Sequence, residues 1–515
     1  MTPSQLAAQL LMIDLPGDTL EEEQVRHLTQ HHWGGVLLFA RNLSRRSQTL
    51  ELMRRLQALG DPLMAIDQEG GLVDRARFDD MVLSPGAMAL AATGQAELTQ
   101  EAHRLMGQQL AGLGFHLDFA PCVDVNNNPD NPVIGVRSFG DDPERVAEHG
   151  AAACLGLRQG GVAATAKHFP GHGDCTIDTH IGMPRLNHTL ERLESLELVP
   201  FQRCIEAGVE SIMTAHLLLP HLDAQLPATL SPAVLQGVLR QNMGFQGVIF
   251  TDSLEMQAIT QQYGLAEASV LALEAGADMI LACGSAEHQL GAVQAIVRAV
   301  ESGRLTLERL QASWQRLQNL RQQLPPRCWQ SENLQFREQH RQMQAIVESS
   351  ITVVHDRGNL PLPPGQKVLL LSPDLLPLSP LGEMQASEMA LRHLQLPDCT
   401  VMHAFYSAEA RGPVLEKLLE LASQHEVVLF CVYARYRLPD ATRELGQKLM
   451  ESHSRVVLVS LSSPYVLRDL PQAPSFVCSY NYTPLSLEAL GRVLTGAVTA
   501  RGRLPVNIPG AEMLC

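Results

Sequence analysis

The sequence predicts an α/β protein in two parts, a (β/α)8 TIM-like barrel followed by a smaller α/β sandwich domain with a mostly parallel sheet. Three observations carry this prediction. Eight short apolar runs alternate with helical patterns up to about residue 320, polar residues gather where those runs end, and a second series of apolar runs follows a proline break. At about 150 residues per domain, a chain of 515 residues suggests two to four domains, and barrels are the usual reason for fewer. Two are expected: a catalytic barrel over 1–323, a linker over 324–344 and a C-terminal domain over 345–515.

The barrel strands are expected at 9–14, 35–39, 63–67, 115–123, 162–167, 211–216, 247–252 and 277–282. Eight βα units in a row favour a closed barrel over a doubly wound open sheet. Ser231-Pro232 opens one of the intervening helices and Gly276 closes another. Leu324-Pro325-Pro326 ends the helical pattern, and the polar stretch to Gln344 reads as a helix-containing linker. Strands are then expected at 367–371, 400–405, 427–433, 456–461 and 476–480, alternating with helices such as 484–494, which suggests an open parallel sheet covered on both sides. Neither a Gly-x-Gly-x-x-Gly fingerprint nor a P-loop accompanies them, so no nucleotide is implied.

With 45% hydrophobic and only 4% aromatic residues, the chain can bury a large aliphatic core. The net charge of -16 argues against a nucleic-acid partner and reads as a solubility feature. No apolar run approaches the ~20 residues of a membrane-spanning helix, and the start of the chain lacks the charged and apolar regions of a signal peptide. A cytoplasmic protein without a membrane partner is therefore expected. The ten cysteines are scattered without Cys-x-x-Cys pairs, with Cys122, Cys283, Cys431 and Cys478 in or at the ends of apolar strands, and read as reduced core residues.

Chemistry concentrates in Lys167-His168-Phe169-Pro170-Gly171-His172-Gly173-Asp174, followed by Asp178-Thr179-His180. Three histidines, two carboxylates and a lysine fall within fourteen residues, beginning where the fifth barrel strand ends. Asp178 and His180 stand two apart, so in an extended loop both side chains can face one way and hydrogen-bond. A carboxylate so placed fixes the imidazole tautomer and stabilises the imidazolium, which makes His180 a candidate proton shuttle. A metal site built from His168, His172, Asp174 and His180 ranks second, since no His-Glu-x-x-His motif or cysteine pair accompanies it. A purely structural loop ranks third.

Other polar residues also end the apolar runs: Asp67 with Gln68-Glu69-Gly70-Gly71, then Asp124, His216 and Asp252. A long loop over 126–139, rich in turn formers, carries Arg137; loops of this length bind something or move. Asp252 or Ser253 can serve simply as a helix N-cap. With Asp178 and His180 on a neighbouring loop, however, a carboxylate nucleophile and a proton donor would flank one bond, the layout of retaining glycoside hydrolysis.

These motifs, Lys-His-Phe-Pro-Gly-His-Gly-Asp with Asp-Thr-His, Asp-Gln-Glu-Gly-Gly and Thr-Asp-Ser-Leu-Glu-Met, resemble glycoside hydrolase family 3, in particular its β-N-acetylhexosaminidases of the NagZ type. The segment 478–490 is similar to the second domain of two-domain members. The resemblance implies Asp252 as nucleophile and the Asp178-His180 dyad as acid/base. It further implies that Asp67, Arg137, Lys167 and His168 hold the sugar hydroxyls and the N-acetyl group, with no metal and no cofactor. The implied activity is a retaining exo-β-N-acetylglucosaminidase that removes terminal GlcNAc from cell-wall (peptidoglycan) or related fragments. A β-glucosidase or a GlcNAc phosphorylase of the same family is the alternative, because a histidine acid/base does not repel phosphate. A non-catalytic sugar-binding protein and a metal-dependent hydrolase are alternatives of a different class. Leu72 replaces the usual arginine, Cys175 a threonine and Thr179 a serine; Leu72 is expected to alter a salt bridge or a subsite contact. The second domain is expected to pack beside the active face or to lend a side chain to it.

Overall fold

The computed structural model describes residues 1–178, 182–326, 329–377 and 384–510. Eight short strands, β1 (Leu11–Asp14), β2 (Gly35–Leu38), β3 (Leu63–Ile66), β4 (Leu117–Asp118), β5 (Ala163–Phe169), β6 (Ser211–Thr214), β7 (Val248–Phe250) and β8 (Ile280–Ala282), form one parallel sheet. Each pairs with its neighbours in sequence, and β1 also pairs with β8. The two ends of the sheet meet at a parallel bridge between Phe250 and Met279, where the Asp278 and Met279 amides donate to Ile249 O and the Thr251 amide donates to Met279 O. The sheet is thereby closed. Helices cover its outer face, so the strands are buried and can be apolar throughout, as Leu-Met-Ala-Ile in β3 and Val-Ile-Phe in β7 are.

All eight expected barrel strands are present; six are shorter than expected by one to three residues, and β4 and β5 differ in more telling ways. Ladder pairing in β4 stops at Asp118, because the chain continues beside β5 through Pro121, which has no amide hydrogen to give. Strand β5 runs on through Phe169, pairing with Thr214 after a register shift between Ala166 and Phe169. His168 and Phe169 therefore lie within the strand, beyond its expected end at Lys167, and Lys167 and His168 sit at the irregularity. Such irregularities re-aim side chains, and here they do so at the C-terminal mouth of the barrel.

The helices flanking β4 and β5 are locally well specified. Asp142 caps the helix Pro143–Gly160 by accepting from the Glu144 amide, proline occupies its first turn, and Gly161 closes it at a φ of 97°. This helix packs on Ala96–Leu113 at backbone contact distance, for a Cβ at Gly156 would lie 2.2 Å from Gln100 O.

The second half of the chain contains β9 (Thr352–Asp356), β10 (Lys367–Pro373), β11 (Leu375–Pro377), β12 (Met384–Ala386), β13 (Thr400–Tyr406), β14 (Val427–Val432), β15 (Val456–Ser460) and β16 (Ser475–Cys478). Six of these form a sheet in the order β13-β10-β14-β15-β16-β9, parallel except for β9, which runs antiparallel to β16 at one edge. The five expected strands are among them. β9 and the separate β11–β12 pair add to that expectation: β9 is a half-exposed edge strand ending in His355 and Asp356, so it lacks an apolar run.

The helix Phe336–Ser350 joins the two sheets and buries Met343, Ile346 and Val347 in a core continuous with the barrel. The opposite face of the second sheet, with Leu369, Phe430, Leu458 and Phe476, belongs to a hydrophobic cluster that also takes in Leu415 and Leu445 of the helices Pro413–Ser423 and Asp440–Ser452 and Met88, Ala89 and Ala92 of the barrel helix Ala87–Ala92. Among the described residues no helix is long and apolar enough to cross a membrane. The described cysteines are free thiols, and all but Cys399 are buried.

The closing seam of the barrel depends on one carboxylate. Asp278 is fully buried and accepts from the Ile249 amide (3.0 Å), Ser313 Oγ (2.7 Å), Arg316 Nη1 (3.1 Å) and Arg240. Removing the acceptor leaves buried guanidinium groups uncompensated. Asp278→Ala is expected to lower the unfolding free energy by about 3–5 kcal/mol in urea melts, with Asp278→Asn less severe.

Candidate active site

A cavity of about 500 Å³ opens at the C-terminal ends of the barrel strands, with Asp67, Glu69, Arg137, Lys167, His168 and Asp252 in its wall. At its centre Lys167, only 2% exposed, sets its ammonium between Asp67 Oδ1 (2.6 Å) and Glu69 Oε1 (2.7 Å). Arg137 comes from the long loop after β4 and forks onto the same Glu69, Nη2 to Oε1 at 2.7 Å and Nε to Oε2 at 2.9 Å. Burial works against every one of these charges. For Lys167 it is outweighed by Asp67 and Glu69, which hold the ammonium above its ordinary range; for Glu69 it is outweighed by Arg137 and Lys167, which hold the carboxyl far below its own. The group is therefore a fixed array of charges at neutral pH, with donors and acceptors aimed into the cavity.

A second array lies directly beneath. His168 Nδ1 donates to Asp124 Oδ2 at 2.7 Å, and the His168 amide (3.2 Å), the His172 amide (2.6 Å) and Cys122 Sγ (3.2 Å) converge on the same carboxylate. Burial opposes ionisation of Asp124, but the histidine and the amide donors bring its pKa down to about 2. Arg137 Nη2 lies 3.3 Å from His168 Nε2, so these two contacts assign the ring as the Nδ1–H tautomer. Burial also pushes the Cys122 thiol up, keeping it a protonated donor, although its sulfur, Asp124 and His168 lie close enough together to suit a metal ion.

Asp252 lies two residues beyond β7, half-buried, with Oδ1 accepting from the Ser253 amide at 2.7 Å. Burial would raise its pKa; His216, His168 and the Ser253 amide, with Lys167 beyond them, hold it below the ordinary carboxylate value. An ionised, partly accessible carboxylate in a positively biased wall is equipped for nucleophilic or electrostatic work. His216 Nε2 donates to Ser253 O at 2.9 Å and so fixes the turn that presents Asp252.

Five of the predicted site residues, Asp67, Arg137, Lys167, His168 and Asp252, thus share one cavity. Asp178 is buried, its carbonyl accepting from the Gly182 amide at 3.1 Å, and it does not line the cavity. His180 lies outside the described residues, and with it the expected pairing of the dyad. Of the four residues grouped as a candidate metal site, His168 and His172 meet edge to face at 5.9 Å, while Asp174 turns to His188 Nε2 at 3.0 Å.

Sequence reasoning assigns no role to Glu69, Asp124 or Arg75. Glu69 is visible there as a second carboxylate two residues beyond Asp67, and in the fold it is the shared acceptor for both cations. Arg75 is brought to the cavity by a tight turn in which Gly70 bridges Val73, and Gln68 Oε1 holds it by accepting from the Arg75 (2.8 Å) and Ala76 (3.1 Å) amides. Its guanidinium approaches the Phe39 ring to 6.0 Å, and its buried Nε has no hydrogen-bond partner among the described residues. Leu72, in the same turn, is buried; it borders a gap with Pro132, Tyr433 and Arg435 and does not line this cavity. Cys175 is a buried thiol.

The family "Glycosyl hydrolase family 3 N terminal domain" matches residues 4–320. A β-N-acetylglucosaminidase of glycoside hydrolase family 3 from a Paenibacillus species superposes with a TM-score of 0.92 at 36% sequence identity, covering 99% of both chains. Beta-hexosaminidase A of Pseudoalteromonas piscicida is 29% identical over 99% of this chain and 97% of its own. Beta-hexosaminidase of Tolumonas auensis is 41% identical over 55% of this chain and 84% of its own. With the family match running the length of the barrel, the fold and its charged mouth are those of a glycoside hydrolase. The chain belongs to glycoside hydrolase family 3.

The turn below Arg75 carries a pH-dependent liability. Asp74 is buried, accepts only from Gln68 Nε2 among the hydrogen bonds described, and is raised by burial, against Arg77 and Arg75, to about 7. Because its folded pKa lies above the unfolded value, its contribution is fully present below about pH 4 and is lost as pH rises through about 7. Asp74→Asn should therefore match the parent at about pH 3.5, gain on it progressively as pH rises from about 4 to about 7, and exceed it by about 1–3 kcal/mol at about pH 8, measured by urea unfolding at the two extremes.

Proposed function

We propose that this chain is a retaining exo-β-N-acetylglucosaminidase that removes terminal GlcNAc from cell-wall (peptidoglycan) fragments in the cytoplasm, using the barrel, residues 1–323, as its catalytic domain. The observation that supports this reading best is the convergence of an ionised Asp252 with Asp67, Lys167, Arg137 and His168 in one sugar-sized cavity. The names of the similar proteins, β-hexosaminidases and a β-N-acetylglucosaminidase, support the same substrate class.

In this reading Asp67 accepts hydrogen bonds from sugar hydroxyls, Lys167 and Arg137 donate to hydroxyl and N-acetyl oxygens, and His168 accepts from a hydroxyl through Nε2, which carries no proton in this tautomer. These partners are charge-assisted and already oriented, so little reorganisation accompanies binding. Arg75, beside Phe39 at the outer wall, meets the leaving group. Asp252 attacks the anomeric carbon as the bond to the leaving oxygen breaks, and His180, steadied by Asp178, protonates that oxygen. The same imidazole then takes a proton from water, whose oxygen displaces Asp252 and restores the starting configuration.

A 2-fluoro or 5-fluoro glycosyl fluoride of the GlcNAc series should leave a covalent adduct on the peptide containing Asp252, detected by mass spectrometry. Absence of an adduct, or an inverted product by NMR, would overturn the mechanism. His180→Ala is expected to reduce kcat on an aryl N-acetylglucosaminide on the order of a hundredfold or more, and Asp252→Asn further still. Release of GlcNAc-1-phosphate in place of GlcNAc in phosphate buffer would reassign the chain as a phosphorylase.

A further inference from the structure

We propose that the second domain is a clamp for the substrate-binding loop, and that Arg468, Arg435 and Tyr465 are positioning residues for Arg137 although none of them reaches the cavity. This rests on Arg137 acting as a sugar-binding cation, as proposed above. Residues 126–137 lie between the cavity and the second domain and form no helix or strand apart from the single turn Gly135–Arg137. A segment of this kind has little local reason to hold one shape.

The second domain supplies that reason through a row of bonds. Arg468, its side chain only 6% exposed, donates through Nη2 to Pro129 O (3.2 Å) and Asp130 Oδ1 (2.8 Å). Arg435 Nη1 donates to Pro132 O at 3.3 Å, directly before Val133 in the cavity wall. Tyr465 Oη accepts from Asn126 Nδ2 at 3.1 Å. Arg437 Nε completes the row, 3.3 Å from Asp130 Oδ1.

From these anchors the loop passes its shape inward by two side chains of its own. Asn126 Oδ1 accepts from the Gly135 amide (3.0 Å), closing the turn that ends in Arg137. Asn131 Oδ1 accepts from the Val133 and Ile134 amides at 2.8 Å, while its Nδ2 donates to the His172 and Gly173 carbonyls at 2.8 Å. The clamp is thus connected both to the cation that forks onto Glu69 and to the base of the segment leading to Asp178. Arg137 in this reading binds substrate and transition state alike, so loosening this connection should be felt in KM rather than in kcat.

The test uses the full chain with Arg468→Ala, Arg468→Lys and Arg435→Ala, assayed on an aryl N-acetylglucosaminide and by amide hydrogen exchange. Arg468→Ala should raise KM by about tenfold with kcat within about twofold, Arg468→Lys should recover some of the loss, and Arg435→Ala should raise KM in the same direction. Exchange should quicken over 126–137 and 172–174 while β14 and β15 stay protected. Unchanged KM and unchanged loop exchange in Arg468→Ala would overturn the proposal. Faster exchange spread through the second sheet would also overturn it, as simple destabilisation. Should Arg468→Ala fail to fold, the same readouts on Arg435→Ala decide. A wild-type chain inert on the glycoside would instead sink the catalytic reading, with exchange still testing the clamp.

Discussion

The active end of this molecule is organised around Glu69, a carboxylate placed so that two cations from distant segments of the chain must share it. Lys167 reaches it from β5 and Arg137 from the loop after β4, so a single side chain after β3 fixes three segments that are far apart in sequence. None of these charges would be tolerated alone at such burial, and together with Asp67 they balance. The arrangement is stiff because each member depends on the others for its ionisation. Stiffness is what a site recognising an uncharged, hydroxyl-rich ligand needs, since each hydrogen bond there is weak and is strengthened when its protein partner is already oriented.

Asp124 has the corresponding role in the layer below, where it gathers an imidazole, two backbone amides and a thiol. It therefore controls which nitrogen of His168 carries a proton and also fixes where the segment after Phe169 departs. The cavity is assembled from backbone placement in the barrel and from these two buried carboxylates, while the binding groups themselves are carried on the segments they hold.

Much of this is legible in the sequence, for identifiable reasons. Barrel strands such as Leu-Met-Ala-Ile and Val-Ile-Phe announce themselves because both faces are buried, so nothing interrupts the apolar run. Lys167, His168, Asp67 and Asp252 stand out because a polar residue at the end of such a run has no structural excuse. The failures have equally physical causes. β9 is an edge strand with most of its side chains half-exposed, and it carries no such run. The ladder in β4 fails at a proline, and β5 gains His168 and Phe169 because pairing with β6 resumes past an irregularity that composition does not encode. The roles of Glu69, Asp124 and Arg75 depend on which residues meet across the barrel mouth, and that is set by three-dimensional proximity rather than spacing.

Leu72 has a consequence that reaches beyond the site. It borders one gap beside Arg435 and another beside Arg77, at the seam where the second domain rests on the β3 turn. An arginine at that position would add a further guanidinium to gaps that Arg77, Arg392, Arg137 and Arg435 already line. The leucine thus adds no charge where cations from both halves of the chain already gather, and the apolar side chain and the docked domain suit one another.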